Sequence, residues 1–252
     1  MIDLKTRTIV CDKHGEFEQR NFIGRVWSKC PACSAEYAAA EKVKEDATAR
    51  AAKVAAWQLQ IGDSGIPERF HNRTLNTFKA ENEGQRHALS FATAFADSFG
   101  QGPKVGRGAV FIGMPGTGKT HLAVGIGMHL MKQGRPVLFS TVMRAIRRIK
   151  DTWSRGAEES ESQAVAGLVF PDLLILDEVG VQFGTETEKN LLFDVLNERY
   201  ERRKSTLLLS NLPLPEVRAY LGERVFDRMR EDGGEVVAFG WASQRAKIGE
   251  AA

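Results

Sequence analysis

The segment Gly113–Thr120, GMPGTGKT, constrains this chain more than any other eight residues in it. Its spacing, G-x-x-x-x-G-K-T, is that of a phosphate-binding loop, and the chemistry demands each position. Gly113, Gly116 and Gly118 permit the tight turn whose backbone N–H groups wrap phosphate oxygens. Lys119 reaches the terminal phosphates, and Thr120 offers its hydroxyl to Mg²⁺. Pro115 and Thr117 complete the loop. His121 follows it at the start of a helix whose positive N-terminal end faces the same anion. Such a loop needs a buried strand before it and a helix after it, and GRGAVFIG and HLAVGIGMHLMK supply both. The expectation is an ATP-binding domain.

The rest of the chain agrees with a parallel sheet covered by helices. Helices are expected at Glu83–Phe99, from Lys119 to about Lys132 (with Gly134 as its C′ residue), at Met143–Arg155 and at Glu186–Arg203. Strands are expected at Val137–Ser140, Leu173–Leu176 and Thr206–Ser210 besides the one leading into the loop. This alternation implies an α/β fold with helices on both faces. In LLILDE the apolar strand delivers Asp177 to the sheet's C-terminal edge, where ligands bind. Asp177 suits Mg²⁺, and Glu178 suits the general base that polarises an attacking water. Asn211 ends the strand TLLLSN and reads as positioning that water, with a turn role for Asn-Leu-Pro as the alternative.

Composition divides the chain in three: a Cys/His-bearing region over 1–34, an Ala/Lys/Glu-rich helical linker over 35–64, and the α/β domain over 65–252. The 35 basic and 32 acidic residues leave a net charge of only +3, which excludes a wholesale nucleic-acid coat but not a local basic patch. No apolar run approaches the roughly 20 residues needed to span a bilayer, nor does the N-terminus read as a secretory signal, so a cytoplasmic protein is expected. The three cysteines all lie within the first 33 residues, an odd count that makes no disulfide framework. Cys11-x-x-His14 and Cys30-x-x-Cys33 instead have the two-residue gaps of a closed tetrahedral Zn²⁺ site, with room between the pairs for a small hairpin. A region with so little core would be held together by the metal.

Taken together, GMPGTGKTHLA, LLILDE, LLLSN and GERVFDRMRE resemble the AAA+ ATPases, and more closely the DnaC-type helicase loaders and the related IstB transposition ATPases. GIPERFHNRTLNTF and FGWASQR are similar to that subgroup too, so the resemblance covers about 65–246. It implies that Arg228 is an arginine finger reaching a neighbouring subunit's nucleotide, with Arg224 nearby, and that Arg245 is a second sensor arginine. Without the resemblance, each would read as an ordinary surface arginine. Only seven residues follow Arg245, so the superfamily's C-terminal helical lid is not expected.

The resemblance also gives the basic helix TVMRAIRRIKDTWSRG a role. Arg144, Arg147, Arg148 and Arg155 stand at spacings that can share one face, while Met143, Ile146, Ile149 and Trp153 read as buried. Loaders hold single-stranded DNA with the corresponding region, which assigns Arg144, Arg147 and Arg148 to DNA. The implied function is an ATP-switched loader that delivers a hexameric replicative helicase onto single-stranded DNA, hydrolysing ATP in sites shared between self-associated subunits. The N-terminal module would dock the helicase, although zinc knuckles also bind nucleic acid. The alternative is an IstB-like helper that assembles on DNA beside a transposase. A nucleotide-dependent scaffold is disfavoured by Glu178, since a pure binder needs no catalytic base.

Overall fold

The computed structural model describes residues 6–21, 26–61, 64–102, 106–180 and 185–244. The chain divides into two compact units, Met1–Ala55 and Ala56–Ala252.

In the first unit, β1 (Thr6–Cys11) and β2 (Gly15–Arg20) form an antiparallel hairpin, and α1 (Pro31–Ile61) follows. The hairpin turn falls between Cys11 and Gly15, so Cys11 ends β1 and His14 lies in the turn, within the hairpin rather than outside it. α1 begins four residues before the linker helix read from composition. Proline fits a first helical position because its missing N–H is unpaired there in any helix. Cys30 therefore precedes the helix and Cys33 lies in its first turn.

The second unit is a five-stranded parallel sheet in the order β4-β5-β6-β3-β7. Its strands are β3 (Ala109–Gly113), β4 (Val137–Thr141), β5 (Leu173–Asp177), β6 (Ser205–Ser210) and β7 (Glu235–Phe239). β7 was not legible as a strand, because EVVAF is short and half exposed at the sheet edge. Alternate strand residues face opposite layers. Ala109, Phe111, Ile175 and Leu209 pack under α2 (Glu83–Asp97) and α3 (Lys119–Lys132). Val110, Ile112, Leu174 and Leu208 pack under the other layer: α4 (Val142–Asp151), α5 (Glu161–Val169), α6 (Glu186–Glu201), α7 (Leu214–Leu221) and α8 (Glu223–Arg230). Both sheet faces are thus sealed, which is why the strands read as continuous apolar runs.

Local chemistry sets the helix ends. α3 closes on a Schellman motif: Gly134, at φ +72°, donates to the carbonyl of Met131, and Arg135 donates to that of Leu130. α4 stops at Asp151, four residues short of the reading from sequence, so Arg155 lies beyond it. α5 was missed altogether, although Ser160 and Gln163 form a capping box that marks its start. No helix among the described residues is long and apolar enough to cross a membrane.

Candidate functional site

Strand order brings the pieces of the nucleotide site together. β6 lies between β3 and β5, and Ser210 pairs with Ile112 while Leu208 pairs with Leu176. Asn211, the next residue after Ser210, therefore stands at the C-terminal edge between the phosphate loop and the Asp177–Glu178 pair. Its side chain is exposed.

Gly113, Gly116 and Gly118 all stand at positive φ, where glycine is favoured. At Gly113, φ is +146° and a Cβ would lie 2.4 Å from the carbonyl oxygen of Phe239; at Gly118, φ is +101° and a Cβ would meet the Phe78 ring at 2.7 Å. Lys119 is buried, and its Nζ donates to the carbonyls of Gly113 (2.6 Å) and Met114 (2.9 Å). Thr117 is fully buried and its hydroxyl donates to Met114 O at 2.8 Å, so this side chain braces the turn. The Thr120 hydroxyl donates to Asp177 Oδ2 at 2.9 Å. A hydroxyl and a carboxylate in direct contact beside a phosphate loop are the donor set that Mg²⁺ takes in such sites. The second Asp177 oxygen accepts the Glu178 backbone N–H at 2.8 Å. Glu178 is exposed and sits at φ +63°, a left-handed conformation that is costly for a residue with a Cβ and that clusters at functional sites.

His121 is turned away from the loop. Its Nε2 lies 3.0 Å from Thr74 O and 3.1 Å from Thr77 Oγ1, and its ring meets Phe78 edge-on. Burial lowers its pKa, so the neutral ring is favoured with Nε2–H donating to Thr74 O. Its side chain ties the 74–78 segment to α3.

Two connections had no local signal. The indole Nε1–H of Trp241 donates to Thr117 O at 2.8 Å, and the backbone N–H of Gln244 donates to Gly116 O at 2.9 Å. Carbonyls of the loop are thus held from outside, which fixes the peptide planes whose N–H groups form an anion-binding nest.

Arg228 lies elsewhere. It lines a groove with Gly106, Gly108, Lys204 and Thr206, at the starting ends of β3 and β6. The length of β3 alone separates that edge from the loop by about 13 Å. Its Nη1 donates to Asn197 Oδ1, and its guanidinium stacks 4.3 Å from the Tyr200 ring centre. Arg224 is exposed, with its guanidinium 6.0 Å from the Phe193 ring. Arg245 lies outside the described residues.

The basic stripe is smaller than its sequence. Arg144 and Arg147 are exposed on α4, beside a groove of about 500 Å³. Arg148 is half-buried and held in a bidentate ion pair with Glu159, with Nε 3.0 Å from Oε2. Trp153 is not buried but 50% exposed, its indole N–H on Glu161. It sits past the end of α4, where no apolar layer covers it. Met143, likewise, is only partly buried.

In the first unit the ligand atoms of Cys11, His14, Cys30 and Cys33 all lie within 4.8 Å of one another. Cys11 Sγ is 3.8 Å from His14 Nδ1 and 3.6 Å from Cys33 Sγ, while Cys30 and Cys33 approach the same nitrogen at 3.7 and 3.3 Å. Sulfur and nitrogen ligands on the corners of a zinc tetrahedron stand about 3.5–3.8 Å apart, so the cluster has the size of the ion it would hold. Backbone N–H groups of Lys13 and His14 hold the Cys11 thiol down to about 6, and the neighbouring Cys11 pushes Cys33 up to about 11. His14 Nε2 lies 3.0 Å from Glu36 Oε1. That carboxylate fixes the ring so that Nδ1 faces the sulfurs, as carboxylates behind metal-bound histidines do. Glu36 was not singled out in the sequence, although a position three residues past Cys33 on a helix is within reach.

Residues 104–246 match the family described as IstB-like ATP binding protein. The replicative helicase loader DnaC of Buchnera aphidicola (strain APS) is 33% identical over 207 residues, 82% of this chain and 83% of that protein. The same-named protein of Escherichia coli K12 is 35% identical over 208 residues, 82% of each. This chain belongs to the IstB/DnaC family. A crystal structure of the DnaC helicase loader superimposes with a TM-score of 0.60 at 26% identity, covering 68% of this chain and 99% of that one. DnaI, at 19% identity and a TM-score of 0.59, shares the fold. An IstB/DnaC-family AAA+ domain that binds ATP accounts for the loop, the strand order and the Asp177–Glu178 edge. The family match begins at residue 104, so it leaves the Cys/His unit untouched.

Proposed function

We propose that this protein is an ATP-dependent loader that delivers a hexameric replicative helicase onto single-stranded DNA. The observation that carries the reading is the similarity, over 82% of the chain, to proteins named replicative helicase loader DnaC. In this reading Thr120 and Asp177 would hold Mg²⁺, which would offset phosphate charge, and Lys119 leaves the loop carbonyls for the phosphate oxygens. Asn211 orients a water and Glu178 accepts its proton as it attacks the γ-phosphorus, giving ADP and phosphate. Arg228 stabilises the charge of that step in a neighbouring subunit, and Arg245 acts as the second sensor. The position of Arg228 at the far edge of the sheet supports action in trans. Arg144 and Arg147 contact the DNA backbone, with Arg148 joining them if its pair with Glu159 opens.

Residues 1–34 form a zinc-held docking module for the helicase, 35–64 link it, and 65–252 form the ATPase domain. Four ligand atoms at zinc spacing and Glu36 behind His14 support the metal assignment. The IstB description of the matched family favours a second reading, a helper that assembles on duplex DNA beside a transposase. The deciding experiment mixes the chain with its source's replicative helicase and circular single-stranded DNA, then measures ATP-dependent helicase loading and unwinding. Glu178→Gln should trap the helicase–loader complex and abolish ATP turnover. Failure to bind the helicase, together with preference for duplex DNA, refutes the loader reading.

A further inference from the structure

We propose that Asn197 and Tyr200 are positioning residues that hold the Arg228 guanidinium ready to meet the nucleotide of a second copy of this chain. The inference rests on the trans role given to Arg228 above and adds how the arginine is aimed.

Four contacts carry it. Asn197 Oδ1 accepts from Arg228 Nη1, and Tyr200 presents its ring face 4.3 Å from the guanidinium centre. Neither partner is left to orient itself. The Asn197 amide is fixed because its Nδ2 donates to Glu201 Oε1 at 2.8 Å, which turns the oxygen toward Arg228. The Tyr200 ring is fixed because its hydroxyl donates to Glu231 Oε2 at 2.6 Å. Asn197, Tyr200 and Glu201 lie at i, i+3 and i+4 on the last turns of α6, so one helix face presents the clasp.

The chemistry favours aiming over neutralising. Asn197 and the tyrosine ring are uncharged, so the guanidinium keeps its full charge for phosphate. A carboxylate at either position would compete with the incoming anion. Arginine has five N–H donors in a planar fork, and the clasp grips one Nη and one face of it. An unheld arginine on α8 would sample many rotamers and lose that freedom only when subunits meet. A misplacement of about 1 Å at such a group can cost on the order of a hundredfold in rate.

The test uses full-length chains mixed in pairs. Arg228→Ala chains keep an intact nucleotide site but supply no finger. Glu178→Gln chains supply a finger but turn over no ATP. Titrating the second into the first should raise ATPase activity by at least tenfold, because each Arg228→Ala site borrows a finger. Glu178→Gln/Asn197→Ala and Glu178→Gln/Tyr200→Leu donors should stimulate about tenfold less at saturation. KM for ATP should not change, and Glu178→Gln/Tyr200→Phe, which keeps the ring face but loses its hydroxyl anchor, should stimulate to a level between Glu178→Gln and Glu178→Gln/Tyr200→Leu. Donors altered at Asn197 or Tyr200 that stimulate as well as Glu178→Gln alone, or better, overturn the proposal. Stimulation that persists with a Glu178→Gln/Arg228→Ala donor instead refutes the trans reading, and the positioning proposal falls with it.

Discussion

Replacing Trp241 by Phe isolates one hydrogen bond and measures how far the C-terminal segment sets nucleotide affinity. The indole N–H donates to Thr117 O at 2.8 Å, while the ring stacks on Phe239 at 4.9 Å between centres and covers Gly84. Phenylalanine keeps most of that packing and loses the donor. Lys119 also holds the loop, through Gly113 and Met114. In the proposed mechanism Lys119 turns to phosphate when ATP binds, which leaves the bonds from Trp241 and Gln244 to fix the loop's peptide planes. The missing bond therefore weighs most on the bound state. A neutral hydrogen bond contributes about 0.5–1.5 kcal/mol, which corresponds to a two- to tenfold weaker Kd at roughly 1.4 kcal/mol per decade. The assay is titration of each protein with a fluorescent ATP analogue and Mg²⁺, alongside thermal melts without nucleotide. A Kd unchanged in Trp241→Phe, with only the melting temperature lowered, would refute the bracing role and leave Trp241 as a packing residue.

Arg199 is fully buried and donates to the carbonyls of Leu168, Val169, Pro171 and Ser205 and to the Thr206 hydroxyl. Burial pushes its guanidinium down to about 9, still a cation at neutral pH. Arg199→Leu strands those carbonyls and should cost about 3–5 kcal/mol by chemical denaturation; a loss under about 1 kcal/mol would mean that water replaces the guanidinium. Metal analysis of protein purified without chelators should find about one Zn²⁺ per chain, lost in the Cys30→Ala/Cys33→Ala variant, whose loop still binds ATP; a metal content near zero in the parent refutes the site. His121, lowered from 6.5 by burial, favours its neutral form in the fold. Its contribution is complete above about pH 6.5 and is lost as pH falls from there toward the lower folded value. The melting temperature should fall more between pH 7.5 and 5.5 in the parent than in His121→Gln, and parallel curves would contradict this.

What the sequence determined by itself was local. The phosphate loop, Asp177 at a strand end, the two-residue Cys/His gaps and the glycine that ends α3 are each written within a few consecutive residues. Backbone geometry at those spacings leaves little choice, so the pattern carries the chemistry. The Ser160–Gln163 capping box that starts α5 is a signal of the same local kind.

Tertiary structure decided what depends on residues far apart in the chain. Arg144, Arg147 and Arg148 share one face of a helical wheel, yet only packing sets Glu159 against Arg148 and leaves the other two exposed. Trp241 and Thr117 are 124 positions apart, and no period or composition joins them. Glu36 behind His14, and the clasp of Asn197 and Tyr200 on Arg228, arise because helices and strands converge after folding. A side chain's partner is fixed by the sum of all packing around it, and no single stretch of sequence contains that sum.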